Sequence, residues 1–283
     1  MNRRRFLQAS IPLGAVGFAA DPPANKENID AALRLTQAAA AEYEIRVEKD
    51  DKPLDLKREP VLKWSNPDRG EVHGNVFLWT RGGRPLVAGS LFKWFTPHTH
   101  MTHEFQSLAE ASLAVHFHGK QVWNTSESGL KFADIPKAPA PAAADAQQLL
   151  QMKQLAKDFT GDKKEKEDAT STELRLLPQP VYRYSAPKQG VFSGGLFALV
   201  HGTDPEIWVL IEARGETADS ARWQFAAARM NNVGMNLRYK GERVWAVEWM
   251  LSKDVNDHSH AYTKFMFNEI PEFLKDALAK PKP

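Results

Sequence analysis

EPVLKWSNPDRGEVHGNVFLWTRGGRP, residues 59–85, and QPVYRYSAPKQGVFSGGLFALVHGTDP, residues 179–205, run in step at a constant offset of 120. Pro60 meets Pro180, Val61 meets Val181, Ser65 meets Ser185, Pro67 meets Pro187 and Gly70 meets Gly190. Gly74 meets Gly194, Phe77 meets Phe197, Gly82 meets Gly202, Pro85 meets Pro205 and, further on, Phe105 meets Phe225. These are ten identities over residues 59–109, where average residue usage would give about three. After a two-residue slip HGKQVW (118–123) matches KGERVW (240–245). Self-similarity of this kind predicts a tandem duplication, and so fixes the architecture before any single element is assigned.

Each copy reads alike. A helix is expected over Ile29–Ala41 in the first and Ala144–Lys157 in the second, where Leu149, Met152, Leu155, Ala156 and Phe159 recur at helical steps. Strands follow. YEIRV (43–47) alternates, ELRL (173–176) closes a hairpin in the second copy, and VFLWT and LFALV each turn through a Gly-containing tip into another apolar run. Glycine supplies the positive φ such turns need. A last hairpin has Gly119 and Gly241 at its turn. A helix packed on a curved antiparallel sheet, twice over, is α+β, with a pseudo-twofold relation expected between residues 41–123 and 157–245. The boundaries that follow are copy one over 21–133, a Pro/Ala linker over 134–146, copy two over 147–250, and a tail over 251–283 with a short amphipathic helix in IPEFLKDALAK. GDKKEKEDATST (161–172) reads as a solvated hairpin tip.

The first twenty residues read as a leader. Arg3, Arg4 and Arg5 precede Phe6, Leu7 and a short apolar run to Ala20, with Gly17 and Ala19 placed for cleavage after Ala19. The RR-x-F-L order resembles the twin-arginine export signal, a receptor-read address. The mature chain is expected in the periplasm or outside the cell. No later run is long enough to span a bilayer, which needs about 20 apolar residues. Lys+Arg number 37 against 35 Asp+Glu, and subtracting the three leader arginines leaves 34 against 35. That balance argues against a nucleic-acid partner. Cysteine is absent, which excludes disulfides, thiolate nucleophiles and Cys-ligated metals.

HTHMTHE, residues 98–104, is the stretch richest in metal-ligand chemistry. His98 and His100 would share one face of a strand, and His103 and Glu104 can complete a His/carboxylate set of the kind that suits a divalent transition metal. The H-x-H-x3-E spacing of His98, His100 and Glu104 resembles the first motif of the cupins, a jelly-roll family whose metal is held by those three positions. The family's flanking glycines fall on Phe92 and Ala111, and its second motif has no counterpart. Opposite the cluster stand Ala218, Ser220 and Trp223, so the fold does not require it. The favoured reading is an exposed connection between strands. His116 and His118 read as an outer face, His258 and His260 as a tail loop. Glu212 and Glu248 read as an edge or a salt bridge. No G-x-S-x-G, P-loop or G-x-G-x-x-G run is present.

FLWTRGGRPLVAGSLFKWFTP…HEFQSLAE and RLLPQPVYRYSAP together resemble a family of uncharacterised bacterial proteins exported by the twin-arginine route. The likeness covers most of the mature chain and implies no activity. The function expected is therefore a non-catalytic exported binding or accessory protein for a small molecule or protein, needing no cofactor. The alternatives are a metal-dependent enzyme at His98, His100, His103 and Glu104, or a carrier of an apolar ligand.

Overall fold

The computed structural model describes residues 25–166 and 169–278; the expected leader over 1–20 lies outside the described residues. Helix α1 (Lys26–Ala41) is capped by Asn25, whose side chain accepts the Glu27 N–H at 3.1 Å. It is followed by β1 (Tyr43–Val47), β2 (Asp55–Leu56), β3 (Leu62–Ser65), β4 (Glu71–Arg81), β5 (Arg84–Thr96), β6 (Met101–Ser107), β7 (Leu113–Phe117), β8 (Lys120–Asn124) and β9 (Ala133–Asp134). The second half repeats the order with α2 (Asp145–Lys157), β10 (Phe159–Lys164), β11 (Thr172–Leu176), β12 (Tyr182–Ala186), β13 (Val191–His201), β14 (Asp204–Arg214), β15 (Arg222–Arg229), β16 (Gly234–Tyr239) and β17 (Glu242–Val247). A short α3 (Ser252–Val255) and β18 (Tyr262–Phe267) end the chain's regular structure, apart from a 3-10 turn over Glu272–Leu278.

The protein is mixed α and β, and among the described residues all strand pairs are antiparallel. Strands β4, β5, β13 and β14 are buried along almost their whole length. Alternation sends Phe77 and Trp79 to the face that carries α1, while Val76 and Leu78 face the other way. In the second half Phe197 and Leu199 face α2, and Leu196 and Ala198 meet Val76 and Leu78 in a shared core. The layers are helix, sheet, sheet, helix. Continuous apolar runs such as VFLW and LFALV are the sequence of strands covered on both sides.

The two halves differ in how their sheets close. In the second, β10 and β11 pair over Gly161–Leu174 and carry one ladder from β17 to β9. In the first, β1, β7 and β8 form a separate three-stranded sheet, and Leu54 N–H to the Ile45 carbonyl, 2.7 Å, makes the corresponding link. Three expectations are corrected here. Residues 161–164 are strand, not solvated tip: Asp162 and Lys163 are buried, because Lys163 pairs with the buried Glu206. The tail supplies β18, which pairs with β6 and extends the first sheet. Its helix is a 3-10 turn that buries Leu274 in the α1 core.

Gly82 and Gly202 sit at hairpin tips with φ of +55° and +61°, as the turns require. Gly74 and Gly194 do a different job. An added Cβ would meet the Trp64 ring at 2.1 Å and the Tyr184 ring at 2.4 Å. Each aromatic lies flat over the glycine directly across from it, Trp64 on Gly74 and Tyr184 on Gly194. Gly74→Ala and Gly194→Ala are each expected to lose about 1–3 kcal/mol to overpacking in urea unfolding. An unchanged midpoint in either variant would contradict the aromatic cover.

Candidate functional site

The halves meet where each one's long hairpin crosses the other. The β4–β5 tip lies on the second half: Tyr182 Oη donates to the Gly83 carbonyl at 3.0 Å and Gln189 Nε2 to the Arg81 carbonyl at 2.7 Å. The β13–β14 tip lies on the first half, where Thr203 Oγ1 accepts from Ser65 N–H and donates to the Ser65 carbonyl, both at 2.9 Å. Gly83 in turn sits over the Ser185 carbonyl. Ser65 and Ser185 stand at the offset of 120, so each tip meets the same place on the opposite half.

The residue that follows each tip differs in charge. Arg84 and Asp204 both open their second strand, paired across the tip with Arg81 and His201. Arg84 runs into the second half, where its Nε lies 2.9 Å from Oε1 of Glu212, which also accepts the Tyr184 hydroxyl at 2.7 Å. Both charged groups are buried, Arg84 at 5% exposed and Glu212 at 0%. Burial lowers the Arg84 pKa, and the charge and hydrogen bond of Glu212 more than offset this, so it stands raised. Arg84 and Arg214 also lie against the Phe132 ring, at 5.5 and 3.9 Å. This first crossing is filled.

At the second crossing the matching positions hold Trp64 for Tyr184, Phe92 for Glu212 and Trp94 for Arg214. Asp204 meets Asn66 there, the one guanidinium in the lining, Arg69, is held by Glu165, and a cavity of about 200 Å³ remains. Its lining includes Trp64, Asn66, Phe92, Trp94, Glu104 and Asp204, with Arg69, His100, Asn231 and Lys264. Burial, then the charges of Glu206 and Glu104, hold the Asp204 carboxyl well above the usual range against the opposing effect of Lys163 and Asn66. Glu104 is also raised, first by burial, with Lys264 at 3.7 Å opposing. Behind the cavity wall Glu206 is satisfied by Lys163 and by Asn231 Nδ2 at 2.9 Å.

The HTHMTHE stretch is divided. Only residues 97–100 form an exposed connection, and Met101 to Glu104 belong to β6, which corrects the reading of the whole stretch as a loop. His98 and His100 lie 5.5 Å apart between ring centroids, and both contact Trp94. His103 falls on the opposite face of β6 from Glu104. It is fully buried beside Phe117 and Phe267, with Nδ1 2.8 Å from the Tyr43 hydroxyl and Nε2 without a partner. His100 and Glu104 share the cavity, whereas His103 does not. Among the described residues no group of three or more His, Asp or Glu is arranged to hold a metal ion.

The remaining candidates are dispersed. His116 lies across from Glu44 and is half-buried, while His118 is exposed and pairs with Glu42 at 2.7 Å. Lys240 and Asp158 form the matching pair in the second half at 3.4 Å. His258 bonds Thr263 and His260 lies near Glu127, both away from the cavity. Glu248 is exposed. Glu212 is the salt bridge that its sequence context suggested. Asp204, Trp64 and Trp94 were not singled out from sequence. The signal was there in the alignment, as a charge reversal between Arg84 and Asp204 at equivalent tips. Comparison of the chain with protein-family models, with curated proteins and with solved structures gives no match.

Two titrations follow. His103 is pushed down to about 3 by burial, so below about 6.5 the unfolded chain takes up a proton that the native state refuses. Its contribution to stability is expected to fall by roughly 1.4 kcal/mol per pH unit from about 6.5 towards 3, and His103→Gln should lack that part of the acid slope in urea unfolding. Equal slopes for the two proteins would contradict the buried neutral imidazole. Asp204 has the opposite sign: its raised carboxyl is ionised at a cost that grows as pH rises above the ordinary aspartate range. Asp204→Asn should therefore gain stability over the wild type at pH 7 and lose that advantage near pH 3.5; no gain at pH 7 would count against it.

Proposed function

We propose that the chain is an exported, non-catalytic binding protein, built by tandem duplication, whose ligand sits in the cavity at the second crossing. One observation carries this reading. Two equivalent crossings exist, one filled by the protein's own Arg84 and Glu212, the other open and lined by Asp204, Glu104 and three large aromatics. Concave sites with aromatic walls and a few convergent polar groups are the usual seats of small ligands. The reciprocal contacts at Ser65 and Ser185 and the repeated order of elements support the duplication and its pseudo-twofold relation. Between β9 and α2 the chain carries no helix or strand, and β9 itself pairs with β15 of the second half.

The leader sequence supports export by the twin-arginine route to the periplasm or beyond. No helix among the described residues is long and apolar enough to cross a membrane. Carboxylates and amides in the lining favour a polar ligand over the apolar cargo of a carrier. His98 and His100 lie in the connection before β6, while His103 and Glu104 point to opposite faces of β6, and this separation weighs against a divalent metal and a metal-dependent enzyme there.

The test is to close the cavity as the first crossing is closed. Asp204→Arg places a guanidinium beside Glu104, and the variant should fold and melt at or above the wild-type temperature. A ligand that stabilises the wild type by RT ln(1 + [L]/Kd) should give no shift in the variant. Undiminished stabilisation of folded Asp204→Arg would remove the cavity as the seat.

A further inference from the structure

Resting on the second crossing as a ligand seat, we infer that it takes a small organic cation of the guanidinium class, held where Arg84 holds its own guanidinium in the first crossing. The first crossing shows what this architecture accommodates. A hairpin tip held by Tyr182 and Gln189, with Gly83 over Ser185, directs a planar cation beneath an aromatic ring and onto a carboxylate on the strand behind it. The second crossing keeps the same tip, anchored on Ser65, and has Asp204 where the first tip has its arginine. It carries the complementary groups in its place.

Acid is present on two elements, Glu104 on β6 and Asp204 on β14, and both border the cavity. A guanidinium between two carboxylates forms charge-assisted hydrogen bonds, the strongest class available to a planar cation. Trp64 and Phe92 lie 5.1 Å apart between ring centroids and, with Trp94, wall the space. Aromatic faces attract cations, Trp most of all. The Trp64 indole N–H is already satisfied by Ser90 Oγ at 2.9 Å, so this ring offers the ligand a π face and no competing donor.

The bases that border the cavity do not fill that place. Arg69 is held by Glu165. Lys264 stands 3.7 Å from Glu104, longer than a hydrogen bond, and is one-third exposed. The cavity is far larger than one water requires and admits a group of guanidinium size.

The experiment is a chemical-shift titration of the mature protein with three probes of like size: methylguanidinium, neutral methylurea and acetate. Methylguanidinium is expected to bind at least ten-fold more tightly than methylurea and to perturb the indole signals of Trp64 and Trp94. Asp204→Asn and Glu104→Gln, each checked for fold by circular dichroism, should weaken it ten-fold or more. Equal binding of methylurea, no binding of methylguanidinium, or full affinity in both variants would overturn the inference. Acetate binding that perturbs the same two indoles and disappears in Asp204→Arg would overturn the cation and leave the seat standing, so the two failures are distinguishable.

Discussion

Strands β4, β5, β13 and β14 are covered on both faces, by a helix layer on one side and by each other on the second. Every polar group they carry must therefore be paired inside the protein or kept uncharged. Most are paired: Asn75 with Thr36 at 2.9 Å, Trp64 with Ser90 at 2.9 Å, Glu206 with Lys163 and Asn231, and Arg84 with Glu212. Removing one partner of a buried pair costs about 3–5 kcal/mol, because the other charge is left without compensation. Exceptions include Nε2 of His73 and the indole nitrogens of Trp79 and Trp208. Asp204 on β14 and Glu104 on neighbouring β6 are half-buried, and desolvation is the largest cause of their raised carboxyls.

That local imbalance has a topological origin. Two long hairpins crossing one another create two equivalent corners, and each corner must be closed by whatever side chain opens the second strand. A long cationic side chain at one corner reaches the carboxylate of the facing sheet and seals it. A short acidic one at the other reaches no further than Asn66, and the large rings of Trp64, Phe92 and Trp94 line the space beyond it. The cost of ionising two half-buried acids is what a bound cation would relieve.

Much of this fold was legible in the sequence. Helices near α1 and α2 and the antiparallel strands were readable from local patterns, and Gly82 and Gly202 marked the hairpin tips. β18 was hidden because YTKFMF lies beyond the two aligned stretches and pairs with β6, an association no local pattern announces. Lys163 read as a surface charge because its partner Glu206 is 43 residues away. The histidine stretch drew attention by composition, yet alternation along β6 sends His103 to the core and Glu104 to the cavity. The cavity itself needed three dimensions, since Trp64, Glu104 and Asp204 come from three different strands. Its one sequence trace is the exchange of Arg84 for Asp204 between aligned tips.

The equivalence of the two corners is tested most directly by a crystal structure of the Asp204→Arg/Phe92→Glu double variant, which copies the charges of the first crossing into the second. The account predicts that the new guanidinium turns inward beside the new carboxylate, within hydrogen-bond distance, and that the space between Trp64 and Trp94 is filled. A side chain at position 204 directed into solvent, with the cavity still open, would contradict it.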